Sequence, residues 1–512
     1  MHPEKQTEAA QHSSDQPADR SVDAIVIGLG PGGDDLAARL ARGGWRVLAV
    51  ESHLVGGECP YYGCIPSKMM LHESRREEPD WERVATRIRQ EATDHWDDRV
   101  AVERLTGAGV TFVRGHATVD GGPSGPGVPS GPGDRGGEGP SSVTVTPDDG
   151  GAPQRWTARR AVVLNTGSVP SRAPIPGLPE REAWTHRDVI TAQTLPASLA
   201  IVGGGPVACE LAQALNGFGV RITLVVRGER LLSGEVPQAG DLLAERFRAE
   251  GIDVRTGTEI TEVSTSDVTR YESSHGLPTP SGPVNVALSS GEELSVDHVL
   301  LATGRVPRDE VRVDGWCRIL DDGGEPVPGR YALGDMTGAG PFTHTSVAQS
   351  AVVAGQLLGD PATGPYPRDA VPRVTYTDPE VAAVGLSERA ARDGAEQGTS
   401  DRREVRVARV DLASSTRGWI DEVAGHLTLV ARGEAGDVGE AGDAGDSGEG
   451  PGSGPVLVGA TVVGPGAGEI LGALTVAVHA RVPVAELMRI PWAYPTLHRA
   501  IGDALGQLGQ ES

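Results

Sequence analysis

The run Ala24-Ile25-Val26-Ile27-Gly28-Leu29-Gly30-Pro31-Gly32-Gly33 passes from four apolar residues into a glycine-rich turn. A helical stretch then carries on to Arg42, ahead of a second apolar run from Val47 to Val50. A short apolar run that ends in such a turn has the form of a buried parallel strand entering a helix. Glycine at Gly28, Gly30 and Gly33 lets backbone N–H groups approach a pyrophosphate, and the helix N-terminus adds its partial positive charge. The unit occurs twice. Leu199 to Val202 runs into Gly203-Gly204-Gly205-Pro206-Val207-Ala208, a helix reaches about Asn216, and a strand follows from Ile222 to Val226. Two βαβ units of this kind predict two nucleotide cofactors on one α/β chain, with Gly203 and Gly205 serving the second.

The two units end differently. Glu51 closes the second strand of the first, a carboxylate where a ribose hydroxyl is gripped. Val226 takes that place in the second and is followed by Arg227, a cation suited to the 2′-phosphate of NADPH. Glu229 stands nearby as an alternative ribose ligand, which keeps NADH open as the coenzyme.

The chain has 512 residues, which at about 150 residues per domain predicts three or four domains. Its formal net charge of −24 argues against a nucleic-acid partner, since such binding depends on Lys and Arg releasing counterions. No apolar stretch is long enough for a membrane span. Four cysteines cannot form a disulfide scaffold, and the chain opens without a secretory leader pattern, so a reducing cytoplasm is expected. Glycine and proline concentrate in residues 120–141 and 432–455, which read as mobile surface inserts. Residues 1–21 read as a disordered tail.

In Gly56-Gly57-Glu58-Cys59-Pro60-Tyr61-Tyr62-Gly63-Cys64-Ile65-Pro66-Ser67-Lys68, two thiols stand five apart at what reads as a helix start, where the dipole favours thiolate. Such a pair can cycle between dithiol and disulfide. Zinc needs two more ligands, and Cys209 and Cys317 stand alone, so no metal site is expected.

From about residue 22 to 506 the chain resembles the flavoprotein pyridine nucleotide-disulfide oxidoreductases, the family of glutathione reductase, dihydrolipoyl dehydrogenase and mercuric reductase. The resemblance rests on the two turns, the GGxCxxxGCIPSK-like segment, Thr166-Gly167, Ala302-Thr303-Gly304-Arg305, Tyr331-Ala332-Leu333-Gly334-Asp335 and Thr377 to Gly385. It implies two Rossmann-like domains, for FAD and NAD(P), and a C-terminal α+β dimerisation domain. The boundaries it suggests are 22–170 and 297–366 for FAD, 171–296 for NAD(P) and 367–512 for dimerisation, with a homodimer as the assembly, in which Tyr494 and His498 reach the partner's Cys59. It further implies that Asp335 binds the ribityl chain, that Thr343-His344-Thr345 opens a helix toward the flavin, and that Lys68 pairs with Glu210 beside it. By the same resemblance Cys64 is the flavin-facing thiol and Cys59 the interchange thiol. Electrons then pass from NAD(P)H by way of FAD to the Cys59–Cys64 disulfide and on to a small-molecule acceptor.

The match breaks at the C-terminus. The family's disulfide reductases carry an HxxPTxxE-like segment, whereas this chain reads Tyr494-Pro495-Thr496-Leu497-His498-Arg499. Tyr494 takes the His position and Arg499 the Glu position, and a phenol is a poorer proton shuttle near neutrality than imidazole. His498, four residues on, is a substitute imidazole if it shares a helix face with Tyr494. Mercuric reductases also tend to carry Tyr there, but with an extra C-terminal Cys pair that this chain lacks. Tyr61 and Tyr62 replace the usual Asn-Val between the cysteines, with either a surface or a packing role. Three classes of function follow: a disulfide reductase or dihydrolipoyl dehydrogenase-like enzyme, a quinone or metal-ion reductase, and a non-enzymatic redox sensor.

Overall fold

The computed structural model describes residues 20–122, 141–179, 183–265, 270–272, 278–280, 283–396, 404–433 and 454–510. The predicted tail and most of both glycine-rich inserts lie outside them. Their edges do not: Ser21 already belongs to the first strand, Ser141 opens another, and Arg432 and Gly433 end a third.

The first apolar run forms the strand Ser21–Ile27, which pairs in parallel with Val47–Glu51 on one side and Gln154–Leu164 on the other. Thr111–Val119 adds to the first flank and Pro326–Ala332 to the second, both in parallel. Ser21–Ile27 is thus central, with later strands of the chain on both sides, and the crevice outside its C-terminal end is where such sheets take ligands. The helix Pro31–Arg42 buries Leu36, Ala37 and Leu40 against the sheet and packs beside the later helix Thr343–Leu358.

The second unit builds a four-stranded parallel sheet in the order His298–Leu301, Ser198–Val202, Arg221–Val225, Asp253–Arg255. Its turn leads into the helix Pro206–Gly217, and a small antiparallel sheet stands beside it. The C-terminal part is a five-stranded antiparallel sheet whose central strand, Val456–Gly464, lies between Glu380–Gly385 and His426–Gly433. The helices Ala467–His479 and Arg499–Gln510 cover it with Leu471, Leu474, Ile501 and Leu505.

Glycine is required at the start of both turns. Gly28 has φ +88° and Gly203 φ +133°; a Cβ would meet the Asn165 carbonyl oxygen at 2.3 Å in the first and that of Ala302 at 2.3 Å in the second. The strand end and the neighbouring loop are in backbone contact there, so no side chain fits.

Candidate active site

A cavity of about 2250 Å³ runs between the two turns, and most of the residues marked in the sequence line it. Gly28, Gly30, Glu51, Thr166, Gly167 and Asp335 border one part; Gly203, Gly205, Arg227 and Gly304 border another; Cys59, Cys64, Lys68, Glu210 and Thr343 lie along it as well. Gly33 is buried under the turn instead, where its Cα approaches the Gly28 carbonyl.

The helices Pro31–Arg42 and Pro206–Gly217 both start after a glycine that supplies no side-chain cap. Their first-turn N–H groups therefore remain for a ligand anion. Glu51 accepts hydrogen bonds from Leu29 N at 2.6 Å and His53 N at 2.7 Å, which ties the strand end to the turn. Each oxygen keeps a second lone pair for a ribose hydroxyl. Asp335 accepts from Ser168 Oγ, Thr166 donates to Asp309 at 3.0 Å, and Asn165, which the sequence reading passed over, donates from Nδ2 to the Gly28 carbonyl at 3.3 Å. Uncapped helix start, ribose carboxylate and Asp335 together fit FAD.

At the second turn Arg227 is almost fully extended into solvent, 3.8 Å from Glu259. Arg230 joins it on the cavity wall, a residue not marked in the sequence. The alternative ribose ligand, Glu229, is displaced from this wall: its carboxylate packs over Gly257.

Cys59 lies in the short helix Glu58–Tyr62, and Cys64 is the first residue of the helix Cys64–Ser74. A thiolate at a helix N-terminus is favoured by the dipole. Cys64 faces the cavity, its sulfur 3.8 Å from Thr343 Oγ1 at the start of Thr343–Leu358. A hydrogen bond from Cys59, with help from Thr343 and the Lys68 charge and against partial burial, brings the Cys64 thiol down to about 6. The same hydrogen bond and burial push Cys59 far up. Cys209 and Cys317 are buried elsewhere, and burial pushes Cys317 up to about 12.

One turn into its helix, Lys68 Nζ lies 2.7 Å from Glu210 Oε2. Glu210 comes from Pro206–Gly217, which packs on the cysteine helix. Its other oxygen accepts from Tyr376 N at 2.9 Å, and Lys68 stands 4.6 Å from the centre of the Tyr376 ring. One helix turn further along, Gln213 exchanges hydrogen bonds with Asp378 N and O. Tyr61 is buried with its hydroxyl donating to the Val55 carbonyl, whereas Tyr62 stacks on Trp96 and also lines the cavity, so the first packs within the fold and the second belongs to the cavity surface.

The expectation that Tyr494 and His498 share a helix face needs correction. Tyr494 is 69% exposed, away from this chain's cavity, and its hydroxyl donates to Thr416 Oγ1 at 3.3 Å. His498 is half-buried just before the helix Arg499–Gln510 begins, so the two share no helix face. Pro495 biases Tyr494, the residue before it, away from helical geometry.

Among the described residues, no group of three His, Cys, Asp or Glu is placed to share a metal ion, and no helix is long and apolar enough to cross a membrane.

Two dinucleotide crevices joined by a dithiol define a nucleotide-fed dithiol oxidoreductase. Residues 22–355 match the family described as pyridine nucleotide-disulphide oxidoreductase, and residues 371–441 and 453–505 match its dimerisation domain. The chain belongs to this family, whose members are enzymes that depend on FAD and take electrons from NAD(P)H. It is 30% identical to a mercuric reductase of Acidithiobacillus ferrooxidans over 92% of this chain and 80% of that one. To a dihydrolipoyl dehydrogenase of Thermus scotoductus it is 29% identical over 96% and 98%, and to a glutathione reductase of Burkholderia cepacia 28% over 93% and 96%. Among solved structures, LpdA from Mycobacterium tuberculosis superposes with a TM-score of 0.74 at 23% identity, covering 95% of this chain and 100% of that one.

Proposed function

We propose that the chain is an NADPH-fed reductase of a small disulfide, working as a cytoplasmic homodimer with the FAD, NAD(P) and dimerisation boundaries given above. The observation that carries this is the placement of the cysteine pair: Cys64 opens a helix with its sulfur 3.8 Å from Thr343 Oγ1, Cys59 sits in the short helix just before it, and both line the cavity between the two turns. Bound FAD supplies two-electron transfer from a nicotinamide to a disulfide. The first turn, Glu51 and Asp335 hold it; Lys68, fixed by Glu210, keeps a positive charge beside the Cys64 sulfur. Cys59, its proton passed along the shared hydrogen bond to Cys64, attacks one sulfur of the acceptor disulfide and releases one acceptor thiol; Cys64, deprotonated again, attacks Cys59 in the mixed disulfide, re-forms the Cys59–Cys64 disulfide and releases the second. Arg227 and Arg230 favour NADPH through its 2′-phosphate.

A second reading, reduction of a quinone or a metal ion, draws on Tyr494. Such acceptors need no proton delivered to a thiol leaving group, so loss of an imidazole costs them little. A disulfide acceptor loses the roughly 10²–10⁴-fold help of a positioned acid.

One acceptor screen tests both readings. Wild type and Cys59→Ser are assayed on small disulfides, quinones and metal ions with NADPH and NADH in parallel. The disulfide reading expects NADPH-preferring disulfide turnover that vanishes in Cys59→Ser. Quinone or metal-ion turnover that persists in Cys59→Ser, without disulfide turnover in wild type, selects the second.

A further inference from the structure

Glu58 directly precedes Cys59, and no role given above uses it. Its side chain is only 23% exposed, so its charge must be matched by partners. His186 Nε2 lies 2.7 Å from Oε1; Arg187 donates from Nε to Oε1 at 2.9 Å and from Nη2 to Oε2; Arg305 Nη1 is 3.6 Å from Oε1. Burial alone would raise the Glu58 carboxyl, but the bonds from His186 and Arg187 and the charges of Arg187 and Arg305 outweigh it and hold it far below the usual carboxylate range.

The geometry ties this carboxylate to the redox helix. Glu58 and Tyr62 are four residues apart on one helix face, and the Arg187 guanidinium that grips Glu58 also lies 4.7 Å from the centre of the Tyr62 ring. One cation thus holds both ends of the five-residue helix that carries Cys59. Arg305 continues the network: it donates from Nε to Ser168 Oγ at 2.8 Å and from Nη2 to Ser168 O at 2.7 Å, and Ser168 Oγ donates to Asp335.

We propose that Glu58 is a positioning residue for the redox pair: its carboxylate offsets the positive charge of Arg187 and Arg305 beside Cys59, pins the Cys59 helix to them, and so sets how readily the Cys59–Cys64 disulfide is reduced. This rests on the reading of Cys59 and Cys64 as a redox couple. Reduction breaks one S–S bond and takes up two electrons and two protons, one of which is released again where Cys64 ionises. In a glutathione buffer two glutathione thiols supply the electrons and leave as one glutathione disulfide. Excess positive charge beside the couple favours the thiolate and hence the dithiol, and excess negative charge favours the disulfide.

The test equilibrates the FAD-loaded protein in anaerobic glutathione buffers at fixed pH, alkylates free thiols and counts them by mass. Glu58→Gln is expected to shift the equilibrium toward dithiol about tenfold, which is about 30 mV for a two-electron couple. Arg187→Gln is expected to shift it about as far toward disulfide, and Glu58→Asp, which keeps the charge, to stay within about threefold of wild type. Mere loosening of the helix would move the Glu58→Gln and Arg187→Gln variants in the same direction, so shifts of one sign, or none, overturn the proposal. Should Glu58→Gln not fold, Arg187→Gln shifted toward disulfide with Glu58→Asp near wild type supports the proposal, and Arg187→Gln shifted toward dithiol or not at all overturns it. A wild-type protein that forms no Cys59–Cys64 disulfide at any buffer ratio overturns the redox reading itself, and this proposal with it.

Discussion

Cys64 carries a prediction of its own. Its thiol is depressed from the ordinary 9.0 to about 6, so the thiolate exists above that value and is protonated below it. Because the folded value lies below the unfolded one, the stability it lends the dithiol protein is fully present only above about 9. That stability is lost as pH falls through about 6. Ultraviolet thiolate absorbance of the reduced protein should titrate near pH 6, and Lys68→Met should move the midpoint upward; a midpoint near 9 in wild type would refute the assignment. The cysteines and Lys68 were legible because they fall within ten residues of one another in a rare pattern. Glu58 was not. Its partners stand at positions 186, 187 and 305, and only folding brings those cations to an acid that reads as an ordinary charge in the sequence.

At the scale of elements, the glycine turns were legible because a strand, a turn and a helix lie consecutively and need only local chemistry to specify them. The observed elements extend or shorten the expected ones by one to three residues. The shared helix face of Tyr494 and His498 failed for an equally local reason, since Pro495 disfavours helical geometry at Tyr494 and the helix begins only at Arg499. The turn also yields a test. Alanine at Gly28 needs a backbone conformation costing an L-residue roughly 1–2 kcal/mol, and its Cβ would collide with the Asn165 carbonyl. Gly28→Ala should therefore lose at least tenfold in FAD affinity, read by fluorescence titration, while Gly150→Ala, at positive φ but with open space around it, should not.

Across the whole molecule, the crevice proposed for FAD is lined by residues from Gly28 to Asp335, so a cofactor held there would link parts of the chain that are remote in sequence. A ligand bound only by the folded state stabilises it by about 2.7 kcal/mol at a hundredfold excess over Kd. Stripping FAD should lower the Tm, and added FAD should restore it in proportion to the logarithm of its concentration. A Tm indifferent to FAD would contradict the crevice. The repeated βαβ pattern made this architecture visible in the sequence, whereas the acceptor was not, because the residue that departs from the family's pattern, Tyr494, lies on the surface outside this chain's cavity.

The sheet order has a consequence for synthesis on the ribosome. Gln154–Leu164 gains its parallel neighbour Pro326–Ala332 only after some 160 further residues are made, which at 5–20 residues per second takes on the order of 10–30 s. For that interval the nascent chain presents an apolar strand, Ala161-Val162-Val163-Leu164, with one edge unpaired and able to recruit other chains. Translation pauses or chaperone shortage should thus cost yield most sharply in ribosome-bound chains that end between these two strands.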